Sequence, residues 1–111
     1  MGNIKMPNEH FTLDESEFLP GKVTYNSFDI SFDKPFEQQI FSLNEDLVQV
    51  EYENGYLIDI GWYPECDPKG KIILQLIHDN DWSNPAKTVS VTTLEALYEA
   101  IKQLTYHITK K

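Results

Sequence analysis

The stretch from Leu47 to Tyr63 is the strongest local constraint in this 111-residue chain. Val48, Val50 and Tyr52 alternate with Gln49 and Glu51. After a break, Tyr56, Ile58, Ile60 and Trp62 alternate with Asp59 and Gly61. A period of two sends successive side chains to opposite faces of a strand, so two such runs in succession make an antiparallel hairpin with one apolar face. The turn decides the register. A two-residue Asn54-Gly55 turn would pair Val50 with Asp59 and Ile58 with Glu51, mixing acids into the apolar face. A three-residue loop, Glu53-Asn54-Gly55, pairs Tyr52 with Tyr56, Val50 with Ile58 and Val48 with Ile60. It also leaves Gly55 at the left-handed position of a bulge. The three-residue loop is therefore the reading that keeps one face apolar.

The flanking segments extend this hairpin into a meander. Asp14 to Phe18 reads as a short helical turn, and Pro20-Gly21 as a chain reversal. From Lys22 the period is again two, through Val23 and Tyr25 and then Phe28, Ile30 and Phe32. A phase slip at Asn26-Ser27 marks a bulge or turn, and Lys34-Pro35 ends the strand. Phe36 to Leu43, with Ile40 and Phe41 adjacent, reads as a loop holding a short strand or helical turn. Asp67-Pro68-Lys69-Gly70 has the residue pattern of a type I turn. Lys71 to His78 is dense in Ile and Leu, as suits a central strand covered on both faces. Lys87 to Thr92 is a last strand. Thr92 to Glu95 has the spacing of a capping box with Thr92 as N-cap, and Leu94, Leu97, Ile101, Leu104 and Ile108 form one helical stripe. Residues 1–111 are thus read as a single α+β domain: a twisted antiparallel meander of four to five strands, with one C-terminal helix packed on one face.

Charge narrows the partners. The formal charge is −9, and its excess lies entirely in residues 1–67, which hold fourteen Asp and Glu against three Lys. Residues 68–111 hold four against six. Every basic residue is Lys. Arginine supplies the planar fork that reads phosphates and base edges, so its absence beside this acidity argues against nucleic-acid binding and against anionic membranes. No apolar run approaches the ~20 residues of a membrane span. Met1 to Glu9 lacks the apolar core of a signal peptide. One cysteine, Cys66, permits no internal disulfide and suits a reducing cytoplasm.

Catalytic patterns do not emerge. His10, His78 and His107 fall in separate elements without HxH, HExxH or CxxC spacing, so neither a metal site nor a cofactor is expected. Cys66 sits between Glu65 and Asp67, whereas a nucleophilic thiol needs cations or a helix N-terminus beside it. Asp79-Asn80-Asp81 opens like a calcium loop, but Asn84 replaces the required glycine and Ser90 the closing glutamate. No serine lies in a nucleophile elbow. The chain is read as a binder rather than an enzyme. Aromatics flanked by carboxylates suit a basic protein surface, with rings as anchors and acids for steering. The candidate partner-binding residues are Glu51, Glu53, Asp59, Tyr63, Glu65, Asp67, Asp79, Asp81 and Trp82. If 57–63 and 71–78 are neighbouring antiparallel strands, the loops 62–70 and 79–85 fall at opposite ends and need not form one patch. Trp62, in phase with Ile58 and Ile60, is expected in the core.

Ile58-Asp59-Ile60-Gly61-Trp62-Tyr63-Pro64-Glu65, then Asp67-Pro68-Lys69-Gly70 and Asp81-Trp82-Ser83-Asn84-Pro85, resemble a block found in small bacterial immunity proteins. These neutralise secreted or contact-delivered toxins, as in contact-dependent growth inhibition and polymorphic toxin systems. The resemblance spans 58–85 and carries no functional residue set. It implies a cytoplasmic inhibitor that binds a cognate toxin, often a nuclease with a basic cleft, by acidic surface complementarity. The alternative is an acidic interaction or DNA-mimic module for another host or phage protein.

Overall fold

The computed structural model describes residues 13–110; His10 lies outside them. Two 3₁₀ turns, Glu15–Phe18 and Phe36–Ser42, accompany β1 (Lys22–Asn26), β2 (Val48–Glu51), β3 (Tyr56–Tyr63), β4 (Lys71–His78), β5 (Lys87–Val91) and the helix α1 (Leu94–Thr109). The strands pair antiparallel in chain order, a five-stranded meander. The α+β architecture is the one the hydrophobic pattern predicts.

The hairpin has the predicted register. Val48 faces Ile60 and Val50 faces Ile58. The Tyr52 N–H donates to the Tyr56 carbonyl at 2.9 Å, and Gly55 sits at φ +91°. With that register, Val48, Val50, Ile58, Ile60, Trp62, Ile72, Leu74 and Leu76 all turn to the helix side and are fully buried. Leu97, Ala100, Ile101, Leu104 and Ile108 of α1 meet them in one core, joined by Phe18, Phe28, Ile30, Leu43 and Leu47. Each fully buried Leu or Ile contributes about 1.5–3 kcal/mol. Trp62 occupies the core as expected; its Nε1 donates to the Asp67 carbonyl at 2.7 Å, and Phe36 packs edge-on to it at 4.9 Å. The buried Tyr52 hydroxyl donates to the Phe18 carbonyl at 2.7 Å, and burial raises its pKa to about 12.

Two local expectations are corrected. The strand predicted from Lys22 to Lys34 stops at Asn26, and its register shift falls between Val23 and Tyr25 rather than at Asn26-Ser27. The Ser27 N–H still donates to the Leu47 carbonyl, 2.8 Å away, and side chains serve backbone groups beyond it. The Asn26 Oδ1 accepts from the Phe28 N–H, and the Gln39 amide both accepts from Ser31 N–H and donates to its carbonyl, each at 2.8 Å. Phe28 and Ile30 stay buried without a ladder. The helix cap also lies one residue later than predicted. Thr93, extended at φ −126°, accepts from the Ala96 N–H at 3.1 Å, which puts Glu95 one position too early for a capping box.

This difference is measurable. Thr93→Ala is expected to cost about 1 kcal/mol in urea denaturation, while Thr92→Ala changes stability by less than ~0.5 kcal/mol.

Candidate protein-interaction face

The face of the sheet turned away from α1 carries the residues that alternate with the core set. Asp59 stands near its centre on β3, opposite Gln49 of β2 and Gln75 of β4. Tyr25 of β1 faces Gln49 and is exposed. The Gln49 Nε2 donates to Asp59 Oδ1 at 3.0 Å, and Asp59 is only 5% exposed. Burial holds the Asp59 carboxyl above its ordinary value of 3.8; the Gln49 bond opposes that shift and the charge of Asp46 adds to it.

Asp46 is close because the chain crosses the sheet there. A regular continuation of the β2–β3 ladder would set Trp62 opposite residue 46. Instead the Trp62 N–H donates to the Asn44 carbonyl at 2.8 Å, while the Leu47 N–H reaches the Ile60 carbonyl at 3.0 Å. Glu45 and Asp46 are the two extra residues, looped over Gly61. A Cβ at Gly61 would collide with the Glu45 main-chain carbonyl, which is why this buried strand position has no side chain. Beside it, the Tyr63 hydroxyl lies 3.5 Å from the Glu45 carbonyl. Burial raises the Tyr63 phenol pKa, and the charges of Asp59, Glu45 and Asp46 raise it further. Glu45, Asp46, Asp59 and Tyr63 thus form one electrostatically coupled group.

The sequence-derived candidates divide among three places. Asp59 and Tyr63 belong to this group, and the exposed Glu51 shares the same face farther along β2. Tyr63 pairs with Lys71 and Tyr56 with His78, so the two ends of the β3–β4 pair are about 24 Å apart. The exposed Glu65 lies in the loop beyond Tyr63. Asp67, in the same loop, is committed to the turn: its Oδ1 accepts from Lys69 N–H, and its carbonyl accepts from both Gly70 N–H and Trp62 Nε1. Glu53, Asp79, Asp81 and Trp82 sit at the opposite end, where the Asp79 N–H donates to the Gly55 carbonyl at 3.0 Å. Trp82 is 45% exposed. The single acidic patch needed to unite all nine residues does not form.

Phe41 was not among the candidates, yet it is 86% exposed. Its turn is tied to the crossing segment, since the Asn44 Nδ2 donates to the Phe41 carbonyl at 3.3 Å. The signal in the sequence was the adjacency of Ile40 and Phe41: neighbours on a helical turn cannot share a face, so one must point outward. Ile40 packs on the core and Phe41 does not.

The histidines take packing positions. The His78 and His107 rings lie 4.2 Å and 5.9 Å from the Tyr56 ring, and the Asp79 carboxylate is 3.6 Å from His78 Nδ1. Cys66 is exposed. Among the described residues, no group of three or more His, Cys, Asp or Glu could hold a metal ion, and no helix is long and apolar enough to cross a membrane. In comparisons with protein families, curated proteins and solved structures, the chain has no match.

Two outcomes test the geometry. Because burial raises the Asp59 pKa in the fold, the native state holds more protons than the unfolded chain as pH rises above 3.8, and stability falls across that interval. Asp59→Asn is therefore expected to gain stability over the natural chain between acid and neutral pH, read from urea midpoints across a pH series. A gap constant with pH would contradict the burial origin. Gly61→Ala is expected to cost at least about 2 kcal/mol by overpacking. It should also lower the Tyr63 phenol pKa, followed by NMR, as Glu45 and Asp46 are pushed away.

Proposed function

We propose that this chain is a cytoplasmic immunity protein that binds a cognate bacterial toxin, a nuclease with a basic cleft, and blocks it through the acidic sheet face. The observation that carries this reading is the cluster of Glu45 and Asp46 over Gly61 with Asp59 and Tyr63, preceded in the chain by the turn that bears the 86% exposed Phe41. Carboxylates on a firm backbone offer a phosphate-binding cleft the charge it is built to receive, and water leaves the interface around the aromatic rings. The protein acts by occupancy, without catalysis. The likeness of residues 58–85 to immunity proteins points to the same class of partner.

The division of labour follows from the chemistry. Glu45 and Asp46, exposed at the crossing, and Glu51 farther along the face attract the basic cleft at long range and raise the association rate. Phe41 and Tyr63 supply desolvated contact that slows dissociation. Burial raises the Asp59 pKa and an approaching cation lowers it, so binding strengthens as pH rises through its native titration.

The test uses the purified chain and a nuclease toxin encoded beside it. Association is expected to slow by about tenfold between low and high salt, and to slow similarly in Glu45→Gln/Asp46→Asn at low salt. Phe41→Ala is expected to raise the dissociation rate by about tenfold or more while leaving association nearly unchanged. Association independent of salt, or full neutralisation of the toxin by the doubly neutralised variant, would overturn the reading.

A further inference from the structure

A second surface differs from the acidic face in sign and in kind. The β3–β4 ladder has a fixed phase, because the Asp79 N–H donates to the Gly55 carbonyl and the pairs of odd-numbered residues are therefore the hydrogen-bonded ones. Ile72, Leu74 and Leu76 consequently turn their main-chain groups to β5, where Val91, Val89 and Lys87 stand opposite them. Thr88 and Ser90 are left with N–H and C=O groups directed away from the sheet. Among the described residues, no strand pairs with that side of β5.

Free edges are usually blunted by bulges, prolines or charge. The other edge, β1, has a register shift. Strand β5 has neither a proline nor a register shift, and its single charge, Lys87, stands at one end. Alongside it runs an open groove of about 450 Å³ between the strand and α1, lined by Lys87, Val89, Leu104, Tyr106, His107 and Lys110 among others. Tyr106 is 68% exposed. No carboxylate lines the groove, although the chain as a whole carries −9. Gln103, at the groove, donates to Glu99 one turn back along α1, at 3.1 Å.

We propose that the free edge of β5 takes an extended acidic segment of a partner protein as a sixth strand, with alternate side chains of that segment entering the groove against α1. Main-chain bonds to Thr88 and Ser90 hold the segment, Val89 and Tyr106 take its apolar side chains, and Lys87 and Lys110 meet its carboxylates. A second copy of this chain is the poorer occupant, because its own β5 segment, Lys87–Val91, carries no carboxylate to meet the lysines of the groove.

The experiment measures fluorescence anisotropy of a labelled peptide alternating glutamate and valine, titrated with the full chain. A lysine–valine peptide of the same length serves as the comparison. Proline at an outward-facing edge position removes a donor without touching the β4 ladder. The acidic peptide is expected to bind at least about tenfold more tightly than the basic one, and to lose about tenfold or more in Ser90→Pro and in Lys87→Glu/Lys110→Glu. The charge-reversal pair lies at the surface and keeps the test decisive should Ser90→Pro fail to fold. Equal binding of the two peptides, no binding of either, or unchanged affinity in both variants would overturn the proposal. So would self-association through β5 in sedimentation without peptide binding. Glu45→Gln/Asp46→Asn should leave peptide affinity undiminished, which separates this surface from the toxin-binding face.

Discussion

The three residues Glu53, Asn54 and Gly55 control more of this molecule than their position at a hairpin tip suggests. Gly55, at φ +91°, allows the loop to close with Tyr52 opposite Tyr56, and that closure sets the phase of β2 against β3. Every later strand inherits it, because each pairs with its predecessor in unbroken register. The same loop reaches outward twice. The Gly55 carbonyl receives the Asp79 N–H as β4 ends, and the Asn54 Nδ2 donates to the Ile108 carbonyl at 3.0 Å, satisfying one of the last acceptors of the helix. A slip of one residue here would carry the apolar set to the outer face and the carboxylates into the core.

Where the fold was legible, the signal was local and periodic. The hairpin register, the β4 boundaries and the stripe on α1 all rest on residues within one element or across one turn. The Asp67–Gly70 reversal was readable for the same reason. The departures arise where a distant residue decides. Nothing near Ser31 announces that Gln39 will serve its backbone in place of a neighbouring strand. Thr92 and Thr93 are chemically equivalent caps, and the choice between them depends on how far the chain runs on in extended form after β5. The candidate face was legible in composition but not in layout. Acidity marked residues 1–67, and alternation placed Asp59 and Tyr63 on the outer side. That Glu45 and Asp46 arch over Gly61 depends on a close approach of two backbones, which no one-dimensional pattern encodes.

The two surfaces separate along the charge asymmetry of the chain. The acidic group draws on residues 45–63, whereas the groove beside β5 is built from residues 87–110. The sheet lies between them, since Asp59 and Tyr63 project from one face while Leu104 joins the core on the other. A cationic partner would meet the outer face over β2 and β3, and an anionic segment the β5 edge two strands away, so the two need not compete for space.

The crossing over Gly61 has a consequence for substitution. Asn44 and Leu47 are held to β3 by main-chain atoms, through the Trp62 N–H and the Ile60 carbonyl. Those bonds do not depend on which side chains stand at positions 45 and 46. The arch works as a fixed mount with replaceable heads. Substitutions there change the charge the surface presents without disturbing the frame, provided residue 61 remains glycine. Two positions can thus change in charge and size while the underlying architecture stays constant.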